Sequence, residues 1–367
     1  MSVWFDSSTR GTAHIVSQHM IRTRGKATEI HTERTIPWAG FAQQTLGHKG
    51  RNSRGVLECF WPLHWPWLGK EDLEKWQNIT NFSAMKMLKL DVECFAMVSS
   101  EHLAGKCYFP SLKELDIYLG PAQNNRRFYS NRVKAINSFM LNLPALSDLR
   151  VTGWHPRIAV DTILATHGSR LVHLSLISFN GKTLSLENLH QLVETCQILE
   201  TLTIQIKRSR GNYEEYVHYQ TLGLLPRLRH LNFKLDAYQS LNYDEMNEED
   251  LQPPSDPSFS EFDERLSSVR IIPRRIARNG HIRDTFINST LDKELAHNIY
   301  QAIYSLRCEG DSRFVPLASM EIGVTGACQF GQHPYNQTPP CIKDVVDYLG
   351  RPCYVKRVIE VVETSRS

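Results

Sequence analysis

A chain of 367 residues with 41% hydrophobic content can bury a sizeable core, and its 42 Lys and Arg against 39 Asp and Glu leave a net charge of +3. That balance is too small to imply a nucleic-acid or membrane partner from bulk electrostatics. No stretch approaches the roughly 20 apolar residues of a membrane helix, and the N-terminus lacks the apolar run of a secretory signal. The expected compartment is therefore the cytoplasm or nucleus, where the eight cysteines stay reduced and the triplets at Asn78, Asn81, Asn288 and Asn336 go unglycosylated.

In chain order, residues 1–57 are polar, rich in Gly, Thr and His, and aperiodic, which predicts a loosely ordered segment. Residues 58–81 carry Phe60, Trp61, Trp65 and Trp67. These aromatics either cap the open end of a repeat array starting at Phe82 or form an exposed binding patch, and the cap is the preferred reading because terminal repeats need covering.

From Phe82 onward one pattern recurs: an apolar residue followed by others at +3, +6 and +8. It reads Phe82, Met85, Leu88, Leu90; then Phe109, Leu112, Leu115, Ile117; then Leu143, Leu146, Leu149, Val151. Leu171, Leu174 and Leu176 form a copy with Gly168 in the leading place. Further copies are Cys196, Leu199, Leu202, Ile204; Leu225, Leu228, Leu231, Phe233; and Phe314, Leu317, Met320, Ile322. Through Leu231 the third positions recur every 25 to 34 residues, a solenoid period.

Each copy ends in period-2 alternation, the mark of a half-buried strand. Between copies the period becomes helical: Val133, Ile136, Phe139, Met140 and Leu143 share one face, and Leu186, Leu189, Leu192, Val193 and Cys196 repeat that spacing. A strand–turn–helix unit cannot bury its own apolar face, so neighbours must stack, strands on one side and helices on the other. The predicted fold class is α/β: a solenoid over 82–350 with a curved parallel sheet on the concave side, helices on the convex side, and a C-terminal tail at 351–367.

Between Phe233 and Leu317 the period breaks. An acidic, Pro-rich stretch at 244–264 precedes a basic one containing Arg270, Arg274, Arg275, Arg278 and Arg283, together an insertion at about 240–285. A nucleic-acid or nuclear-import patch is one reading. A solvated segment neutralised by its acidic neighbour is preferred, because Ile271, Ile272, Pro273 and Ile276 interrupt the arginines.

Catalytic and metal signatures are missing. The "FNGKT" stretch has Leu176 where a phosphate loop needs its first glycine, and no GxSxG, HExxH or GxGxxG stretch occurs. Cys308, Cys328, Cys341 and Cys353, with His333 nearby, lack the close CxxC pairs of a zinc site, so isolated thiols are expected. The reading assigns no catalytic residue, no metal and no cofactor.

The LxxLxL cores resemble leucine-rich repeats of the ribonuclease-inhibitor-like kind. The irregular periods, with the helix-patterned 286–306 feeding the last copy, look similar to the repeat region of filamentous-fungal F-box proteins. Two departures stand beside the resemblance. The Asn or Cys expected three residues past the last comb position is Gly120, Trp154, Phe179, Lys207 and Asp236. Residues 1–81 also show no F-box helices, and Pro62 and Pro66 would break one. Docking to a Skp-type adaptor, which the family would imply, is therefore not expected of this chain, which reads as a stand-alone recognition module or one lacking a first domain.

The functional expectation is a non-catalytic, monomeric interaction module that grips a protein partner on the concave strand face, a substrate-recognition part of an SCF-type ubiquitin ligase if the resemblance holds. The alternative is a repeat protein with an unrecognised enzymatic activity. Alternation across each strand puts Lys89, Glu114, Asp116, Tyr118, Arg150, His173, Ser175, Thr203, Gln205, Asn232 and Lys234 on that face. Tyr118 and Arg150 are the expected anchors, since Tyr and Arg concentrate binding energy.

Overall fold

The computed structural model describes residues 2–5, 27–32, 55–61, 80–91, 109–119, 126–155, 158–178, 183–237, 257–272, 275–307, 312–325, 349, 353–356 and 360–363. The chain divides into two compact units, Met1–Phe179 and Asn180–Ser367.

In the first unit the strands are β1 (Ser2–Phe5), β2 (Ala27–Thr32), β3 (Gly55–Trp61), β4 (Thr80–Asn81), β5 (Met87–Asp91), β6 (Glu114–Tyr118), β7 (Asp148–Thr152) and β8 (His173–Ile177). All the pairings are parallel: β1, β2, β3, β5, β6, β7 and β8 lie side by side in that order, with β4 beside β3. Helix α1 (Arg126–Leu141) connects β6 to β7, and α2 (Val160–His167) connects β7 to β8. The strands before Phe82 carry no comb, so periodicity gives no sign of them. Trp65, Trp67 and the rest of the proposed cap between Trp61 and Thr80 lie outside the described residues.

The register explains the comb. Leu88, Leu115, Leu149 and Leu174 are aligned across β5 to β8, as are Leu90, Ile117, Val151 and Leu176. All eight are at most 5% exposed. The +3 step has its own cause. The backbone closes a tight turn from the second comb residue to the first, Met85 N–H to Phe82 O at 3.1 Å and Leu112 N–H to Phe109 O at 3.2 Å, which sets both side chains on one side. Each strand then starts by donating two successive N–H groups to one carbonyl of the preceding unit: Lys113 and Glu114 to Lys86, Ser147 and Asp148 to Lys113, Val172 and His173 to Ser147. The helices close the other side of this core, with Val133, Ile136, Phe139, Met140 and Leu143 buried and the Phe139 ring edge-on to Phe109 at 6.4 Å. Burying each such side chain contributes about 1.5–3 kcal/mol.

In the second unit, β9 (Thr201–Lys207), β10 (His230–Asp236) and β13 (Ser319–Thr325) are parallel, with β10 in the middle. Leu202, Leu231 and Met320 align, as do Ile204, Phe233 and Ile322, and all six are buried. Leu199 N–H to Cys196 O at 3.1 Å repeats the tight turn, and Arg229 and His230 both donate to Glu200 O. Phe314 alone among the comb residues is only half-buried. Beyond β13, β14 (Cys353–Lys356) and β15 (Glu360–Glu363) pair antiparallel, a reversal that nothing in the comb foretells.

Helices α3 (Leu186–Thr195) and α4 (Tyr213–Gly223) begin at Ser185 and Asn212, whose side chains accept the Asn188 and Glu215 N–H groups at 3.1 and 2.9 Å. The inserted region holds α5 (Glu261–Glu264), the antiparallel pair β11 (Leu266–Ile272) and β12 (Arg275–Arg278), and α6 (Asn279–Ser289); α7 (Lys293–Tyr304) comes next. The acidic and basic stretches meet here: Arg283 donates to Asp263 at 2.5 Å and Arg278 to the Glu264 carbonyl. The Phe259 ring lies over Gly280, where a Cβ would come within 2.7 Å of it.

An ionic network with a buried centre ties α6 to the turn between β9 and α4. Arg208 pairs with Glu215, which also accepts from Ser209 N at 2.7 Å, Gly211 N at 2.9 Å and Tyr219 Oη at 2.7 Å. Arg210 pairs with Asp284, and its N–H donates to Asn288 Oδ1 at 2.9 Å. The turn needs left-handed backbone at Arg210 and Gly211, φ 59° and 70°. Burial alone would raise the Glu215 pKa, but Arg208 and these donors outweigh it and hold the carboxyl below its ordinary range.

Candidate functional site

On the side of the first unit's sheet away from the comb, the side chains form two registered rows, polar except for Met87. Lys89, Asp116, Arg150 and Ser175 make one; Met87, Glu114, Asp148 and His173 make the other. The Arg150 guanidinium is fixed on its own strand, Nε and Nη2 donating to Asp148 Oδ1 and Oδ2 at 3.2 Å each. Lys89 reaches Asp116 at 3.9 Å. Tyr118, two residues beyond Asp116 and hence on the same face, is 43% exposed.

Between the rows lies a shallow hollow of about 270 Å³, open mouth included, lined by Met87, Lys89, Glu114, Leu115, Asp116, Asp148 and Arg150. Burial raises the Asp116 pKa above its ordinary value; Lys89 and Arg150 offset this only in part, and Asp148 adds to it. Asp148, two residues before Arg150 on β7 and so on the same face, is not among the residues expected to bind. Its signal was available, because an Asp two residues before an Arg on one strand places carboxylate and guanidinium side by side.

The second unit presents a different face. His230 pairs with Ser319 at 2.8 Å, and Asn232 Nδ2 donates to Glu321 at 3.1 Å. Thr203 and Asn232 are in register, as are Gln205 and Lys234. Gln205 is the exception among the expected surface residues: it is 5% exposed, its amide donating to Thr325 Oγ1 at 3.4 Å. This face is built from amides and hydroxyls and carries fewer charges than the first.

Three of the positions where a leucine-rich repeat has Asn or Cys are described, and of these Lys207 is exposed. Trp154 and Asp236 are both buried, at 3% and 1% exposure. Trp154 comes directly after Gly153, whose φ is 85°, and both of their N–H groups donate to Ile177 O.

Among the described residues, no three His, Cys, Asp or Glu side chains converge as metal ligands would, and no helix is long and apolar enough to cross a membrane. Cys308, Cys328, Cys341 and His333 lie outside the described residues. No protein-family model matches the chain, and no curated protein matches it.

Proposed function

We propose that the chain is a leucine-rich-repeat-like recognition protein that binds a protein partner on the polar face of its strands. The observation that carries this reading is the first unit's pair of registered rows: charged side chains held in fixed positions, with an aromatic beside them, over a surface whose other side is wholly committed to packing. An extended sheet face with a shallow, open hollow suits a macromolecule better than a small substrate, which needs an enclosing pocket. Tyr118 and Arg150 are the proposed anchors. A role in substrate recognition for an SCF-type ubiquitin ligase rests on the sequence resemblance, and direct docking to a Skp-type adaptor is not part of the proposal.

The test is affinity capture from the source cell with the wild-type chain and the Tyr118→Ala, Arg150→Ala double variant. The reading expects a protein that the wild type retains and the variant loses, while the variant keeps the wild-type circular dichroism spectrum. Equal retention by both chains would remove these anchors from the account.

A further inference from the structure

The charge pattern of the hollow specifies what kind of side chain it receives. Three carboxylates, Glu114, Asp116 and Asp148, line it with two cations, Lys89 and Arg150. Both cations are already committed, Arg150 to Asp148 through two nitrogens and Lys89 to Asp116. Glu114 has no ion pair among the described residues, although it stands beside Asp148 in its row and adds to the negative potential at Arg150. The lining of the hollow is thus short of one positive charge.

We propose that this hollow is the docking point for an arginine or lysine side chain of the partner protein, seated between Glu114 and Asp116 with its stem against Tyr118. The proposal rests on the reading of this face as the binding surface. Charge complementarity argues for it: an incoming cation balances the third carboxylate, Glu114, while the existing pairs hold Asp116 and Asp148 in place. Half-desolvated Asp116, whose proton affinity is raised by burial, regains in the complex the compensation that the free face supplies only in part. The exposed Tyr118 ring, two residues along the strand from Asp116, offers the apolar stem of the incoming side chain a surface to lie against. The hollow is too open to enclose a small free cation, so the charge is expected on a chain that the surrounding strands also contact.

The probe is a fluorescein-labelled nine-residue Gly/Ser peptide with arginines at three alternate positions, titrated by fluorescence anisotropy beside the same peptide carrying glutamates. The arginine peptide should bind and the glutamate peptide should not. Glu114→Gln with Asp116→Asn should weaken binding about tenfold or more. The control pair Glu187→Gln with Glu194→Gln, exposed on α3 and equal in charge change, should stay within about twofold if the effect is local rather than bulk. Both pairs are near-isosteric, and circular dichroism checks their folding. Equal weakening by the two pairs, or no binding of the arginine peptide, overturns the proposal. If it fails while partner capture still depends on Tyr118 and Arg150, the cationic anchor is wrong and the binding face stands; if both fail, the reading beneath it falls too.

Discussion

Nδ1 of His167 faces the backbone N–H of Leu146 at 3.4 Å, while Nε2 meets the Met140 carbonyl at 3.2 Å. The ring is fully buried. The two contacts require Nδ1 to accept and Nε2–H to donate, so the packed form is the neutral imidazole with its proton on Nε2. His167 thereby occupies the place that the first comb residue's carbonyl takes in the neighbouring repeats.

Burial lowers the His167 pKa below its ordinary value of 6.5, only partly offset by the carbonyls of Met140 and Pro144. The folded state then binds fewer protons than the unfolded one. The stability that depends on neutral His167 is complete above about pH 6.5 and falls as the pH drops through that value. The melting temperatures of the wild type and His167→Gln should therefore converge between pH 7.5 and 5. A constant gap would show that the ring does not titrate on unfolding.

Leu174 is 1% exposed and aligned with Leu149. Leu174→Ala should cost about 2–5 kcal/mol in a denaturant melt, whereas its strand neighbour Ser175→Ala, on the other face, should stay within about 0.5 kcal/mol. Equal midpoints would contradict the register.

Removing one partner of the Arg208–Glu215 pair leaves the other buried and uncompensated. Arg208→Met should cost about 3–5 kcal/mol, and adding Glu215→Leu should recover much of it. The stability from ionised Glu215, whose folded pKa is lowered, is present above its unfolded value near 4.5 and is lost as pH falls below it. A double variant no more stable than the single one would show that the polar donors around Glu215 matter more than its partner.

Gly223 ends α4 against α7, and a Cβ there would lie 2.1 Å from the Ile303 carbonyl oxygen. Helix propensity favours alanine over glycine by about 1 kcal/mol. The clash is with backbone, which cannot swing away, so Gly223→Ala should nevertheless lower the melting temperature, at a net cost of about 1–3 kcal/mol. A raised melting temperature would mean that α4 and α7 shift apart freely.

The core was legible in the sequence because its signal is local. A +3, +6, +8 spacing encodes a tight turn and then a strand, and every comb residue from Phe82 to Phe233 is buried. Alternation likewise placed Lys89, Asp116, Arg150 and Tyr118 on the opposite face. Contacts set by distant partners were not legible. His167 fills a turn 21 residues away, and Arg208 and Arg210 find α6 more than 70 residues on. Buried Arg307, which caps the Gly223, Leu225 and Val315 carbonyls, looks like any surface arginine in sequence. The strands before Phe82 and after Thr325 carry no comb, so their pairing depends on an edge that periodicity does not describe.

The central claim, that a partner sits on the strand face of the first unit, is tested most directly by site-specific photocrosslinking. A benzophenone amino acid replaces Tyr118 in one chain and Lys134 in another; Lys134 is exposed on α1, the helix that covers the comb side of the sheet. After irradiation in cell extract, the account predicts a discrete protein adduct from position 118 and none from position 134. An adduct at position 134 alone would put the partner on the helices and contradict it.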